Sequence, residues 1–177
     1  MIAFVTKDDL DGYKHVADSV GNDDKWPQFV SEAQLFDVKP WLGDELLNEI
    51  SQQFSGSPSA VSDENLKLLN GGTYTYNSKT YMFQGLKASI IYYAFARFTN
   101  RTPYNYTAAG IVSKQSDFSD PVSDKVIQRL ETEANLMGEA VRDEVVLFLN
   151  RNSEDYPLWN KDCRSPQRRV TFTPMGD

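Results

Sequence analysis

The stretch from Asp120 to Asn152, DPVSDKVIQRLETEANLMGEAVRDEVVLFLNRN, decides the fold. Within it Val126, Leu130, Ala134, Met137, Val141, Val145 and Phe148 recur at spacings of 4, 4, 3, 4, 4 and 3. A helix turns once in about 3.6 residues, so this series lies along one side and marks the side turned to a core. The other sides carry Glu131, Glu133, Glu139, Arg142, Asp143 and Glu144, which favour water. The spacing therefore predicts a single helix of about 30 residues, on the order of 42 Å long.

Working outward from that helix, the residues before it read as a smaller set of elements. Asn100 to Asp120 reads as a long connection, with Pro103, Gly110 and many Ser and Thr, in which Ala109–Ser113 has the character of a short strand. A loop that long in a compact domain marks a binding or interaction segment. Met82–Thr99 is predicted to be a helix. Phe83, Leu86, Ile90 and Ala94 mark one face and Ile91, Tyr92, Phe95 and Phe98 widen it, which places this helix at the centre of the fold. Thr73–Tyr81 alternates Thr and Tyr around Asn77-Ser78, the signal of a β-hairpin. Ser62 caps a short helix at Asn65–Leu69, which Gly71-Gly72 terminates.

Further upstream, Trp26-Pro27 opens a helix with Phe29, Ala33 and Phe36 on its buried side. Pro40 is expected to stop it and start a second one through Trp41, Leu42, Leu46, Ile50 and Phe54. A short helix around Asp8–Val20 has a weak apolar face, and Gly21–Asp24 reads as a loop. Beyond Asn150 the chain contains Pro157, Pro166 and Pro174 and reads as an extended arm, with Arg169–Thr173 its one strand-like piece. The expected fold class is thus mainly α: a helical bundle with one long C-terminal helix, a small β-hairpin at about 73–81 and an extended C-terminal arm. It divides into an acidic N-terminal segment (1–25), a helical domain with the hairpin and the 100–120 loop (26–152), and the arm (153–177).

Composition narrows the function. The 177 residues have 40% hydrophobic content, enough for a core, and a net charge of −7. Residues 1–60 hold 4 basic and 11 acidic side chains, residues 61–119 hold 6 and 3, and residues 120–177 hold 8 and 11. A protein that grips DNA would show the opposite balance, because phosphate neutralisation supplies most of such affinity. No apolar run approaches the ~18 residues of a membrane span, and the N-terminus lacks the pattern of a secretory signal. An intracellular protein is expected.

Chemistry-bearing residues are few. The single Cys163 excludes a disulfide framework and a cysteine-rich zinc site, and the single His15 argues against an imidazole metal site or a histidine-based nucleophile system. The clusters Asp8-Asp9-Asp11 and Asp23-Asp24 lack EF-hand spacing and read as solvated surface. Gly71-Gly72 lacks the Gly-Lys-Ser/Thr of a phosphate loop. No catalytic, metal-binding or cofactor-binding residue is assigned, and no cofactor is expected. The candidates are for protein interfaces. Tyr74 and Tyr76 lie on the hairpin. Tyr156 and Trp159 read either as a core anchor or as a dock on a neighbour. Arg164, Arg168, Arg169, Val170 and Phe172 give the arm positive charge and strand propensity, suited to a partner's sheet edge or acidic surface.

Several stretches together resemble a known family. They are Glu32-Ala33-Gln34-Leu35-Phe36-Asp37-Val38-Lys39-Pro40-Trp41-Leu42-Gly43 followed by Glu45-Leu46, the aromatic helix at 81–98, and the long helix ending near Asn152 with Tyr156-Pro157-Leu158-Trp159. Over about residues 26–160 the chain resembles the small head-to-tail connector proteins of tailed bacteriophages, in particular those of phages and prophages of Bacteroides and its relatives, including the ring proteins of crAss-like phages. The resemblance implies a mainly helical, non-enzymatic virion protein. It would form a ring, commonly twelve-fold, under the portal, extend the DNA channel and present a surface to the next tail component. Its implied partners are further copies of itself, the portal and neighbouring tail or ring proteins, with DNA passing unbound and no membrane involved. The implied location is the virion neck or tail, after assembly in the host cytoplasm. In such a ring −7 per copy totals roughly −84, a strong mutual repulsion unless spread out or met by basic partners. The alternatives are a non-enzymatic binding or regulatory domain of mobile-element origin, monomeric or dimeric, and an enzyme using Asp/Glu clusters with magnesium.

Overall fold

Residues 2–6, 8–10, 13, 25–56, 61–101, 104–107, 110–113 and 123–159 are described by the computed structural model of the chain. After a 3-10 turn at Asp8–Leu10 the first helix, α1 (Trp26–Ala33), carries Pro27 in its first turn. It does not stop at Pro40. It passes through a π-helical turn, Gln34–Val38, into α2 (Lys39–Leu42), with the Lys39 N–H donating to the Gln34 carbonyl five residues back. A proline ring presses on the carbonyl four residues before it, and the wider turn accommodates that ring. The expected joint at Pro40 therefore lies instead at Gly43, whose φ of 90° few other residues adopt. The wide turn also shifts the helical phase. Gln34 and Val38 take the inner positions, and Phe36, expected inside, is 58% exposed.

Helix α3 (Asp44–Gly56) buries Leu46, Leu47 and Ile50. Helix α4 (Asp63–Asn70) is capped by Ser62, whose Oγ accepts the Asn65 N–H at 3.2 Å. The hairpin follows as expected: β1 (Gly72–Tyr76) pairs antiparallel with β2 (Lys79–Phe83), Tyr74 opposite Tyr81. Asn77 and Ser78, at φ 50° and 60°, make the left-handed two-residue turn that matches strand twist. At the hairpin's base two glycines touch. A Cβ on Gly71 would lie 2.4 Å from the Gln84 carbonyl carbon, and one on Gly85 would lie 2.3 Å from the Gly71 nitrogen.

Helix α5 (Leu86–Arg101) starts four residues later than Met82, because pairing with β1 takes Met82 and Phe83 into β2. It is the centre of the fold, packed against α1, α4 and α6 (Asp124–Arg151). The 100–120 segment, expected as a loop with a short strand at Ala109–Ser113, holds that strand as β4 (Gly110–Ser113), paired antiparallel with an unexpected β3 (Tyr104–Thr107) in a second hairpin. Residues 114–120 lie outside the described residues.

The predicted long helix is α6, 28 residues. It runs antiparallel to α5. Ser89 Oγ donates to the Gly138 carbonyl at 3.1 Å, and Asn100 Nδ2 donates to Glu131 Oε1 at 3.0 Å. Its buried side is Ile127, Ala134, Gly138, Val141, Val145, Phe148 and Leu149, whereas Val126 and Leu130 are 44% and 42% exposed. Val126 lies at the edge of the buried arc, but Leu130 is about five turns from the buried Phe148 and shares its azimuth, so its exposure reflects what packs beside it rather than helical phase.

Two expected boundaries change. Part of the acidic N-terminal segment belongs to the core: Phe4, Val5 and Leu10 are buried, and Tyr13 packs edge-on against Tyr92 at 5.5 Å. The buried Gln34 side chain holds it, donating to the Ile2 carbonyl at 2.8 Å and accepting the Phe4 N–H at 2.9 Å. Of the helix expected at Asp8–Val20 the structure has the turn at 8–10; residues 14–24 lie outside the described residues. At the other end Tyr156 and Trp159 are buried, so the helical body extends to 159 rather than 152. Among the described residues no helix is long and apolar enough to cross a membrane.

Candidate interaction surfaces

The hairpin does not stand free of the body. Alternation in β1 and β2 puts Tyr74, Tyr76, Tyr81 and Phe83 on one face, and the C-terminal end of α6 presents Phe148 and Arg151 to it. Phe83 stacks on Phe148 at 4.1 Å between centroids, and Tyr74 meets Phe148 edge-on at 5.1 Å. The Arg151 guanidinium sits 4.1 Å from the Tyr81 ring centre and 5.0 Å from that of Tyr76, and it donates to Tyr74 Oη at 2.9 Å. Cation–π attraction and a hydrogen bond thus clamp the hairpin to α6 through one side chain. The opposite face, with Thr73, Thr75, Thr80 and Met82, is open, and Met82 is 79% exposed.

This placement separates the sequence-predicted interface residues. Tyr74 is buried in the clamp and Tyr76 is exposed at its rim. Tyr156 packs edge-on against Phe148 at 5.5 Å and donates to the Glu64 carbonyl at 2.6 Å, and burial pushes its phenol well above the usual range. Trp159 Nε1 donates to Asn150 Oδ1 at 3.3 Å. Of the two roles open to Tyr156 and Trp159, the core anchor is the one they occupy. Tyr74, Tyr156 and Trp159 are therefore committed within the chain rather than offered to a neighbour. Arg164, Arg168, Arg169, Val170 and Phe172 lie outside the described residues, as do His15 and Cys163.

A second surface forms at the π-helical bend. Arg97 grips Asp37 with both sides of its guanidinium, Nε to Oδ2 at 3.0 Å and Nη2 to Oδ1 at 2.9 Å, and lies 5.6 Å from the Phe36 ring centre. Glu32 accepts from Arg101 Nη1 at 2.6 Å and sits 3.7 Å from Arg97. Burial raises the Asp37 carboxyl against the pull of Arg97. Two carboxylates and two guanidiniums thus neutralise one another, which ties the bend to α5. Leu35, Phe36 and Pro40 remain exposed above that network and line a shallow depression with Lys39 and Asp44. Sequence reasoning missed this surface because the bend is set by Pro40 rather than by any apolar period.

A third surface is α6 itself. Asn100, one residue from the end of α5, reaches Glu131, and in the turns of α6 before it Ile127 is buried while Val126 and Leu130 are exposed. On its outward side Leu136 and Leu147 are 60% and 46% exposed. Among the described residues no three His, Cys, Asp or Glu side chains gather so as to hold a metal ion.

These features define a mainly helical protein whose long C-terminal helix is clamped to a β-hairpin and packs against a buried central helix. The chain matches the model of a family described as DUF6712, a family of unknown function, over residues 38–169, and it belongs to that family. No curated protein and no solved structure matches it.

Proposed function

We propose that this chain is a non-enzymatic structural subunit of a phage virion: a head–tail connector that assembles with copies of itself into a ring, twelve-fold as is common among the connector proteins it resembles, beneath the portal. There it would extend the DNA channel and dock the next tail component. The reading rests on the resemblance carried by residues 32–46, 81–98 and 124–159. The observation that favours it most is the apolar surface left open on the N-terminal turns of α6. There Val126 and Leu130 flank the buried Ile127 and are 44% and 42% exposed, which leaves apolar surface for a neighbour to cover. Exposed Phe36 and Met82 offer further contacts on other sides of the body. In this reading acidic side chains face the lumen and repel DNA, so that it slides without sticking.

Native mass measurement of the purified chain, alone at high concentration and with purified portal, tests the proposal. A ring with portal is expected, and electron microscopy of it reads the lumen charge. A monomer under both conditions would refute the ring and favour the regulatory binding protein of mobile-element origin. A ring with a basic lumen would refute the anti-adhesive channel alone.

A further inference from the structure

The outward side of α6 is built to pair with itself. Lys125, Arg129, Thr132 and Leu136 are spaced 4, 3 and 4, and Leu136, Ala140, Asp143 and Leu147 repeat that spacing. All seven are exposed. An 11-residue repeat of this kind stays on one line of a nearly straight helix, because three turns take about 11 residues. The line runs opposite the side that buries Ala134, Val141 and Val145, so no described element covers it.

Its charges are polar along the axis. Lys125 and Arg129 lie towards the N-terminal end, and Asp143 with neighbouring Glu144 towards the C-terminal end, Arg129 and Asp143 each seven residues from Leu136. We propose that this line is the contact face for α6 of a second copy, packed antiparallel about a two-fold axis at Leu136. In that register Leu136 meets Leu136 and Thr132 meets Ala140. Arg129 meets Asp143, and the stem of Lys125 lies over Leu147 with its ammonium within reach of Asp143. The reverse, parallel pairing sets Arg129 on Arg129 and Asp143 on Asp143. Charge complementarity thus selects both the partner and its direction. Within one chain Arg142 holds Asp143 at 2.9 Å, but both bonds go to Oδ1 and the Asp143 side chain is 71% exposed, so this contact yields readily.

The face is small. A strip about 35 Å long and about 10 Å wide offers roughly 350 Å² per partner, short of the ~1,200 Å² in total that stable complexes bury. The pairing is therefore concentration-dependent. It does not rest on the connector reading, since a two-fold pair and a ring use different symmetry.

Sedimentation velocity of the full chain from about 1 μM to 1 mM tests it, with circular dichroism to show that each variant is folded. A monomer–dimer equilibrium is expected. Arg129→Asp should raise the dimer dissociation constant at least about tenfold, and Arg129→Asp with Asp143→Arg should restore it, because the swap rebuilds the same pairs in reverse. In a Cys163→Ser background, Leu136→Cys should cross-link on oxidation. A monomer at every concentration, a dimer indifferent to Arg129→Asp, or a double variant no better than the single would each overturn the proposal. A dimer obeying the charge swap but forming no ring with portal would leave this proposal standing and sink the connector reading.

Discussion

Gln34 is the residue on which the N-terminal segment hangs, and its substitution gives the sharpest test of that attachment. Its side chain is fully buried and makes one bond to each of two backbone groups, the Ile2 carbonyl and the Phe4 N–H. Gln34→Ala removes both bonds, at about 1 kcal/mol each net, and leaves the buried Phe4 N–H unpaired at a further 1–3 kcal/mol. With some void left behind, the total is at least about 3–5 kcal/mol. Gln34→Leu keeps the volume and should cost about 1 kcal/mol less than Ala. Gln34→Glu separates hydrogen bonding from packing. Its ionised carboxylate still accepts from Phe4 but opposes the Ile2 carbonyl, and burial raises its pKa above the unfolded value of about 4.3. A group raised in the folded state contributes most below the unfolded pKa and loses that contribution as pH rises through the folded one. The gap between Gln34→Glu and the parent should therefore narrow as pH falls towards ~4.3, where the protonated acid donates to Ile2 as the amide does. Urea unfolding of the full chain at several pH values, with exchange of the Phe4 amide, reads all three variants. A cost below about 1 kcal/mol for Gln34→Ala, or a Glu gap that does not move with pH, would refute the attachment.

Two further outcomes follow from other contacts. Gly138→Ala gains about 1 kcal/mol of helix propensity. It also drives a Cβ to 2.9 Å from the Tyr93 ring, an overpacking cost of about 1–3 kcal/mol, so a net loss near 1 kcal/mol is expected in thermal melts. The same change in a Tyr93→Leu background should be neutral or stabilising, and a stabilising effect in the parent would show that the contact is loose. Asp9 accepts from Thr6 N at 2.7 Å and from Lys87 Nζ at 2.8 Å, tying the N-terminal turn to α5. Burial alone would raise its carboxyl, but the bonds from Lys87 and Thr6 outweigh burial and hold it below its ordinary 3.8. Its contribution is thus present above that value and lost as pH falls through the lower folded pKa. Asp9→Asn should cost about 1–2 kcal/mol near neutral pH and nothing once both states are protonated; a cost constant with pH would contradict this.

The elements legible in the sequence were those written in short-range chemistry. The Thr/Tyr alternation around Asn77-Ser78 specifies its own turn, and the spacing in 126–148 specifies a helix whatever surrounds it. What misled was phase and context. Pro40 reads as a stop, yet one extra residue in the preceding turn lets the helix pass and turns Phe36 outward. Phe83 fits a helical period as well as a strand, and cross-strand pairing decides it. Phe4 and Val5 form too short an apolar run to show any period, and their burial depends on Gln34, thirty residues away. Tyr156 and Trp159 offered two roles, and the partners that settled them, Phe148, Glu64 and Asn150, lie outside their own segment. The outward line of α6 shows no apolar period, because only Leu136 and Leu147 of its seven residues are large and apolar.

The two touching glycines at the base of the first hairpin fix where residues 72–83 leave the body and return to it. The chain enters and leaves through a neck too tight for any side chain, and one face is clamped to α6, so it is the tip whose sequence and length can change while the ends of α4 and α5 keep their places. Substitution at Gly71 or Gly85 would wedge those helices apart, whereas an insertion at the Asn77–Ser78 tip lies at the far end from both. The neck and the clamped face are thus bound by geometry, while the tip and the open face are left to diversify. A tag or probe carried at the tip would report on what meets the hairpin without disturbing the helices beneath it.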